Sequence, residues 1–254
     1  AFKPDHAPAQ SCLSIILREM GNLEAAEQAA QKAIVMRPEK ASGYLDLADI
    51  LFLSDRFDEA EVALEKAQTL EPDSPRVYIK LSGVLERLNR MDDALTTLDK
   101  AEGMAPDLPE IHYRKGHIYY MSGLMDKARA QISRTLELAP QFVAAYGTLA
   151  EIMQSENHMA ESEDTLRKAL ALSPKTPFFH LSLGKLKKYT RDDDDFKQLL
   201  ELEKEAGNMS KPNQACLHMA LFKAWQDVGD YDAAFNHLKQ GNDIKRQTVP
   251  YDPV

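Results

Sequence analysis

One spacing constrains this chain more than any other. Proline recurs every 34 residues, at Pro38, Pro72, Pro106, Pro140 and Pro174. The same step joins Gly21, Asp55, Asn89, Gly123 and Asn157, and joins Ala26, Ala60, Ala94, Ala128 and Ser162. A fixed period of this size marks one supersecondary unit stacked several times over.

The stretch Ala41–Pro72 reads as two short helices and a tight turn. Proline closes the second helix, because it has no N–H and its ring clashes with a helix running through it. The Gly/Asp/Asn register ends the first helix, where a left-handed backbone is wanted. Small residues mark close helix crossings, since a large side chain there would force backbones apart. Ser14, Ala48, Ser82, Gly116 and Ala150 form one such row, and Ala33, Ala67, Ala101, Thr135 and Ala169 another. Larger apolar rows lie between them: Leu13, Leu47, Leu81 and Leu149, then Leu64, Leu98, Ile132 and Leu166.

A 34-residue helix–turn–helix with these registers resembles the tetratricopeptide repeat. Five units match, from Ala7 to Thr176. Lys115 departs from the pattern by replacing a leucine. The aromatic near each unit's start is Tyr44, Tyr78 and Tyr146, but Gln10 in the first unit and His112 in the fourth. The resemblance implies an all-α fold, an α-solenoid of helical hairpins forming a right-handed superhelix. Each unit is then expected to pack mainly on its neighbours.

Composition narrows the partners. The formal charge of −9 and pI near 5.3 argue against a nucleic-acid binder, which would show a basic stripe. No apolar run approaches a membrane span. Cys12 and Cys216 stand apart without a metal-type spacing, which suggests a reducing, cytoplasmic setting. The start, AFKPDHAPAQ, has neither an initiator Met nor a signal-peptide pattern, and reads as trimmed.

In chain order, residues 1–9 read as a lead-in and 10–176 as five regular units. Residues 177–211 form an irregular sixth unit and linker, 212–246 a seventh hairpin and 247–254 an extended tail. In the sixth unit the spacing predicts helices over Pro177–Tyr189 and Asp192–Ala206. In the seventh it predicts Ala215–Val228 and Asp232–Lys245, with Gly229 at the turn.

No catalytic constellation emerges. GxSxG, Walker, GxGxxG and HExxH motifs are missing. The histidines are scattered, and no cofactor or metal is expected. The run Asp192–Asp195 is the sharpest charge feature. A metal site is one reading of it, but acidic side chains at a helix N-terminus are favoured as caps and by the helix dipole.

In tetratricopeptide proteins the inner faces of the first helices line a concave groove that holds peptide. By phase, the resemblance places Leu45, Asp49, Phe52, Arg76, Ile79, Lys80 and Glu86 on that face. It continues with Tyr113, His117 and Tyr120, then Phe178, Leu181 and Lys185. Aromatics and arginine are the usual anchors of an interface, although the same residues can equally pack against neighbouring units. Two specialised family grooves are not supported. A Lys/Asn/Arg carboxylate clamp would need its early Lys and Asn where Ser11 and Ile15, or Leu45 and Asp49, stand. An asparagine ladder would occupy the row that reads Cys12, Asp46, Lys80, Arg114 and Thr148.

The segment Leu217–Pro253 resembles the last hairpin of bacterial proteins that join tetratricopeptide repeats to a sulfotransferase domain. The residues carrying this are Gly229-Asp230-Tyr231, Ala234-Phe235, Gly241-Asn242, Lys245-Arg246 and Tyr251-Asp252. The resemblance implies a non-catalytic recognition region for protein or peptide, with a catalytic domain beyond Val254. A free-standing adaptor is the alternative.

Overall fold

The computed structural model describes residues 7–248. These form fourteen α-helices and no strand, with one 3-10 turn at Ala206–Asn208. They fall into two compact units that divide between Ala139 and Pro140.

The first unit holds α1 (Ala7–Glu19), α2 (Leu23–Met36), α3 (Ala41–Leu53), α4 (Phe57–Leu70), α5 (Pro75–Arg87), α6 (Met91–Met104), α7 (Pro109–Met121) and α8 (Met125–Leu138). Each odd helix pairs with the even one that follows, and α2 packs on α3, α4 on α5 and α6 on α7. This is the α-solenoid arrangement. The helix starts earlier than expected, at Ala7 rather than after residue 9. Pro8 sits in its first turn, where a missing N–H costs nothing.

The registers do the work assigned to them. Asp55, Asn89 and Asn157 hold φ of 56°, 59° and 65°, and Gly21, Gly123 and Gly229 hold 77°, 74° and 82°. Each therefore turns the chain between the helices of a hairpin. Ala26, Ala60, Ala94, Ala128 and Ser162 are all fully buried. Ile111, Ile118 and Ile132 are also fully buried, and each such side chain stabilises the fold by about 1.5–3 kcal/mol.

The departures have physical explanations. His112 does the job of tyrosine: its Nε2 donates to the Pro106 carbonyl at 2.7 Å, as the Tyr78 hydroxyl does to Pro72 at 2.8 Å. Lys115 is buried in the leucine row, and its ammonium reaches Asp99 at 2.5 Å and also Glu102. Burial alone would lower the proton affinity of Lys115, but those two carboxylates raise it. Gly116 is glycine because its partner is isoleucine. A Cβ there would lie 2.6 Å from Ile132 Cδ1 and 3.2 Å from the Ile132 backbone nitrogen.

The second unit holds α9 (Val143–Ser155), α10 (Met159–Leu172), α11 (Pro177–Gly184), α12 (Asp194–Glu203), α13 (Lys211–Asp227) and α14 (Tyr231–Thr248). Ala150, Leu166, Ala169, Phe179 and Leu183 form one core, and Phe196, Leu199, Leu217, Leu221 and Ala224 another.

Its sixth hairpin is the largest departure from the predicted elements. The first helix stops at Gly184 instead of running to Tyr189, and the second begins at Asp194 rather than Asp192. Tyr189 folds back on α11, with its ring 3.2 Å from where a Gly184 Cβ would stand. Its backbone N–H donates to Asp227 at 3.0 Å, so the chain leaves the helix to reach α13. Burial and the neighbouring aspartates hold the Tyr189 phenol protonated. The acidic run behaves as a cap and an ion-pair partner. Asp193 accepts from the Asp195 N–H at 2.9 Å, and Lys187 lies 2.6 Å from both carboxylates. Of the expected tail, residues 247 and 248 close α14. Pro250, Tyr251 and Asp252 lie outside the described residues.

Candidate functional site

The first helices α3, α5 and α7 present matching faces because they match in length and start. Each has 13 residues, and α5 and α7 both open on proline. Their turns, at Asp55, Asn89 and Gly123, all adopt the left-handed conformation. Equivalent positions on successive hairpins therefore lie side by side.

Side chains link these faces at a spacing of 31 residues, one helical turn short of the period. Arg18 donates to Asp49 at 2.8 Å, and Lys80 donates to the other oxygen of the same carboxylate. The His117 ring lies 3.0 Å from Glu86. Burial and Asp49 raise the Asp46 carboxyl above its ordinary range, against Arg18, Arg76 and Lys80. Burial would likewise raise Glu86, but the His117 hydrogen bond and the nearby arginines hold it below the ordinary range.

Between α3, α5 and α7 lies a cleft of about 220 Å³ lined by Phe52, Gly83, Glu86, Arg87, Tyr113, Arg114 and His117. The Arg87 guanidinium sits over Phe57 at 4.5 Å and Phe52 at 5.6 Å, a cation–π arrangement that fixes the side chain. Phe52 and Phe57 meet edge to face at 5.4 Å. Tyr113 and His117 lie 6.2 Å apart with planes tilted by 35°. Gly83 admits Arg114, whose Nη1 lies 2.8 Å from where a Cβ would stand. The cleft thus places aromatic surface beside two guanidinium groups and one carboxylate.

The residues expected on this face divide into four groups. Phe52, Tyr113 and His117 line the cleft. Asp49, Lys80 and Arg76 belong to the adjoining charged row, and Tyr120 is half-buried further along α7. Leu45 and Ile79 are 4% exposed and pack in the core, which removes them from contact with a ligand. Phe178, Leu181 and Lys185 stand in the second unit. Phe178 packs edge to face on Phe179, Leu181 packs on the core, and Lys185 is exposed. Sequence phase did not single out Gly83 or Arg87, and it named Arg114 only as a departure from an asparagine ladder. The signal that could have found them is the glycine at 83, one turn from a row of cations.

A larger cleft, about 590 Å³, lies on α2, α3 and α4 and is lined by residues including Tyr44, Leu47, Leu51 and Val62. Arg56 closes its polar edge by pairing with Glu27 and Glu59 at 2.6 Å each. The inner cleft is closed in the same way, with His117 beside Glu86 at 3.0 Å, Arg87 paired to Asp55 at 3.1 Å and Arg114 to Glu110 at 3.5 Å. Among the described residues no group of three or more His, Cys, Asp or Glu side chains is arranged to hold a metal. None of the described helices is long and apolar enough to cross a membrane.

Comparison with known proteins agrees with this architecture. Residues 17–81 and 54–113 match the tetratricopeptide repeat family. A thermophilic tetratricopeptide protein of Thermus thermophilus superposes with a TM-score of 0.64 at 21% identity, covering 71% of this chain and 98% of that one. PilW, a type IV pilus biogenesis factor, gives 0.62 at 18% identity, covering 97% and 94%. YrrB, described as having an unusual peptide-binding site, gives 0.50 at 20% identity, covering 69% and 90%. No curated protein matches the sequence. The family match spans residues 17–113, and the helical hairpins that continue beyond them share the fold of tetratricopeptide-repeat proteins.

Proposed function

We propose that this chain is a non-catalytic scaffold that holds an extended segment of a partner protein across α3, α5 and α7. The observation that carries the reading is the cleft in which Phe52 and Tyr113 stand beside Arg87 and Arg114. Aromatic rings and arginines in a concave site are what anchor a bound segment, while a ladder of polar groups on either side fixes its register. The charged row Asp49, Lys80 and Arg76 supplies that ladder. Tetratricopeptide proteins are peptide and protein binders as a class, and YrrB is a neighbour described by its peptide-binding site.

The finer reading places the chain before a sulfotransferase-type domain, in a cytoplasmic protein, as its recognition arm. It is supported by Gly229-Asp230-Tyr231, Gly241-Asn242 and Lys245-Arg246 in the last hairpin. The adaptor reading uses the same cleft. Reading the coding sequence past Val254 separates them, since a strand followed by a Pro-Arg-Ser-Gly-Thr-type loop is expected only for the first.

The scaffold reading is tested by selecting a displayed peptide library against the folded chain. Enriched peptides should lose binding to a Tyr113→Ala, Arg114→Ala double variant whose helical circular dichroism is unchanged. Retained binding in that variant, or a library without enrichment, would reject this cleft as the site.

A further inference from the structure

The last hairpin buries two histidines against one another. His218 on α13 and His237 on α14 are 7% and 8% exposed. Their rings stack at 5.4 Å with planes inclined by 28°, and the two Nδ1 atoms meet at 3.1 Å.

The repeat shows what is unusual about this contact. His218 occupies the register of Tyr44, Tyr78, His112 and Tyr146, and His237 that of Ala63, Gln131 and Thr165. In α7–α8 the same two positions hold His112 and Gln131, and His112 Nδ1 meets the Gln131 side-chain amide at 2.8 Å. There the partner is a neutral amide and the other ring nitrogen is tied to Pro106. In α13–α14 the partner is a second titratable ring. The matching proline, Pro212, lies inside α13, where its carbonyl belongs to a helix.

One proton between the two Nδ1 atoms makes a hydrogen bond, with one ring donating and the other accepting. A proton on each sets two donors and two positive charges face to face in a partly dry site, where screening is weak. The geometry points to an acid-sensitive clasp: the His218–His237 contact holds α14 on α13 while the pair carries at most one proton on its facing nitrogens, and the second proton releases α14.

The surroundings set the direction. Glu203 of α12 lies 3.7 Å from His237 Nε2, on the far side of that ring, and is the charged group that bears on the pair. Its field draws protons in, so it tempers the effect. Cys216, two residues along α13, is held by burial as a neutral thiol. Burial lowers the proton affinity of both rings, and for His218 the charge of His237 adds to this. A group whose proton affinity is lowered by folding leaves stability whole above the ordinary histidine value of about 6.5. Stability then falls as pH drops below that value. Release therefore lies on the acid side.

The test is amide hydrogen exchange resolved by helix, on the full chain, at about pH 7.5 and about pH 5, corrected for intrinsic exchange chemistry. Protection of α14 should fall by about tenfold or more at the lower pH while α2 to α6 hold theirs. The variant His237→Gln copies the α7–α8 pair and should keep α14 protected at both values. Helix-level resolution separates this from His180, a buried histidine of α11 whose proton affinity is also lowered by burial. Equal protection of α14 at the two pH values, or the same loss in His237→Gln, would overturn the clasp. Should His237→Gln fail to fold, the ring Cε1–H resonances of the native chain decide. Two coupled titrations below about 6.5 support the clasp, and two independent titrations at ordinary values sink it.

Discussion

Gly116 and Ile132 are matched in size across the fourth hairpin. A Cβ on Gly116 would lie within 2.6 Å of Ile132 Cδ1 and 2.8 Å of Cγ1. The corresponding pairs elsewhere are Ala48 with Leu64 and Ala150 with Leu166. Alanine is therefore tolerated where leucine stands opposite. Gly116→Ala should destabilise by about 1–3 kcal/mol through overpacking. Adding Ile132→Leu should recover much of that loss. Urea unfolding of the two singles and the double closes the cycle, and purely additive values would mean that the two positions are not matched.

His112 should be replaceable by the residue its register usually holds. His112→Tyr keeps a donor for the Pro106 carbonyl, as Tyr146 does for Pro140 at 3.0 Å. It should unfold within about 1 kcal/mol of the parent, whereas His112→Ala leaves the carbonyl unpaired and should cost about 1–3 kcal/mol. Thermal melts of both variants check this, and an alanine variant as stable as the tyrosine one would remove the carbonyl from the explanation.

Lys115 stands in a leucine row with its ammonium paired to Asp99 and Glu102. Asp99 is 66% exposed at its side chain, so it is not stranded when the lysine goes. Exchanging a buried ion pair for apolar packing is commonly neutral or stabilising by about 1–4 kcal/mol. Lys115→Leu should accordingly unfold at the same urea concentration or a higher one. A clear loss of stability would show that the ion pair outweighs the packing it displaces.

Asn89 holds φ of 59°. Asn89→Gly relieves a left-handed strain and should be neutral or mildly stabilising, while Asn89→Ala should cost about 1–2 kcal/mol. Melting temperatures in the order glycine, asparagine, alanine are expected. An alanine variant equal to the parent would mean that the turn relaxes to another geometry.

The regular hairpins were legible because their constraints are local and periodic. A proline, a left-handed turn residue and a small residue each act within one hairpin or its neighbour, and the left-handed turns at Gly21, Asp55, Asn89, Gly123 and Asn157 fall on the 34-residue spacing. The sixth hairpin was not legible in that way. Its first helix ends at Gly184 because Tyr189 packs back on it and bonds to Asp227, and nothing near residue 189 in sequence announces a partner 38 residues away. The candidate cleft was half legible. Phase placed Phe52, Tyr113 and His117 on the face that carries this cleft. It does not show depth, so Leu45 and Ile79 appeared on the face although they lie in the core. Gly83 was passed over because it supplies room for Arg114 and contributes no side chain of its own.

The bond from Tyr189 to Asp227 also bears on the order in which the chain takes shape during synthesis. A stack of hairpins can form from its leading end, each new pair of helices closing on the one before. The segment around Tyr189 breaks that sequence, because its hydrogen-bond partner is made 38 residues later, and Phe196 likewise waits for Trp225, whose ring it meets at 4.9 Å. On a ribosome, the hairpins through α10 can be settled while Tyr189 is still open to solvent. The stretch gains these contacts only when α13 has emerged.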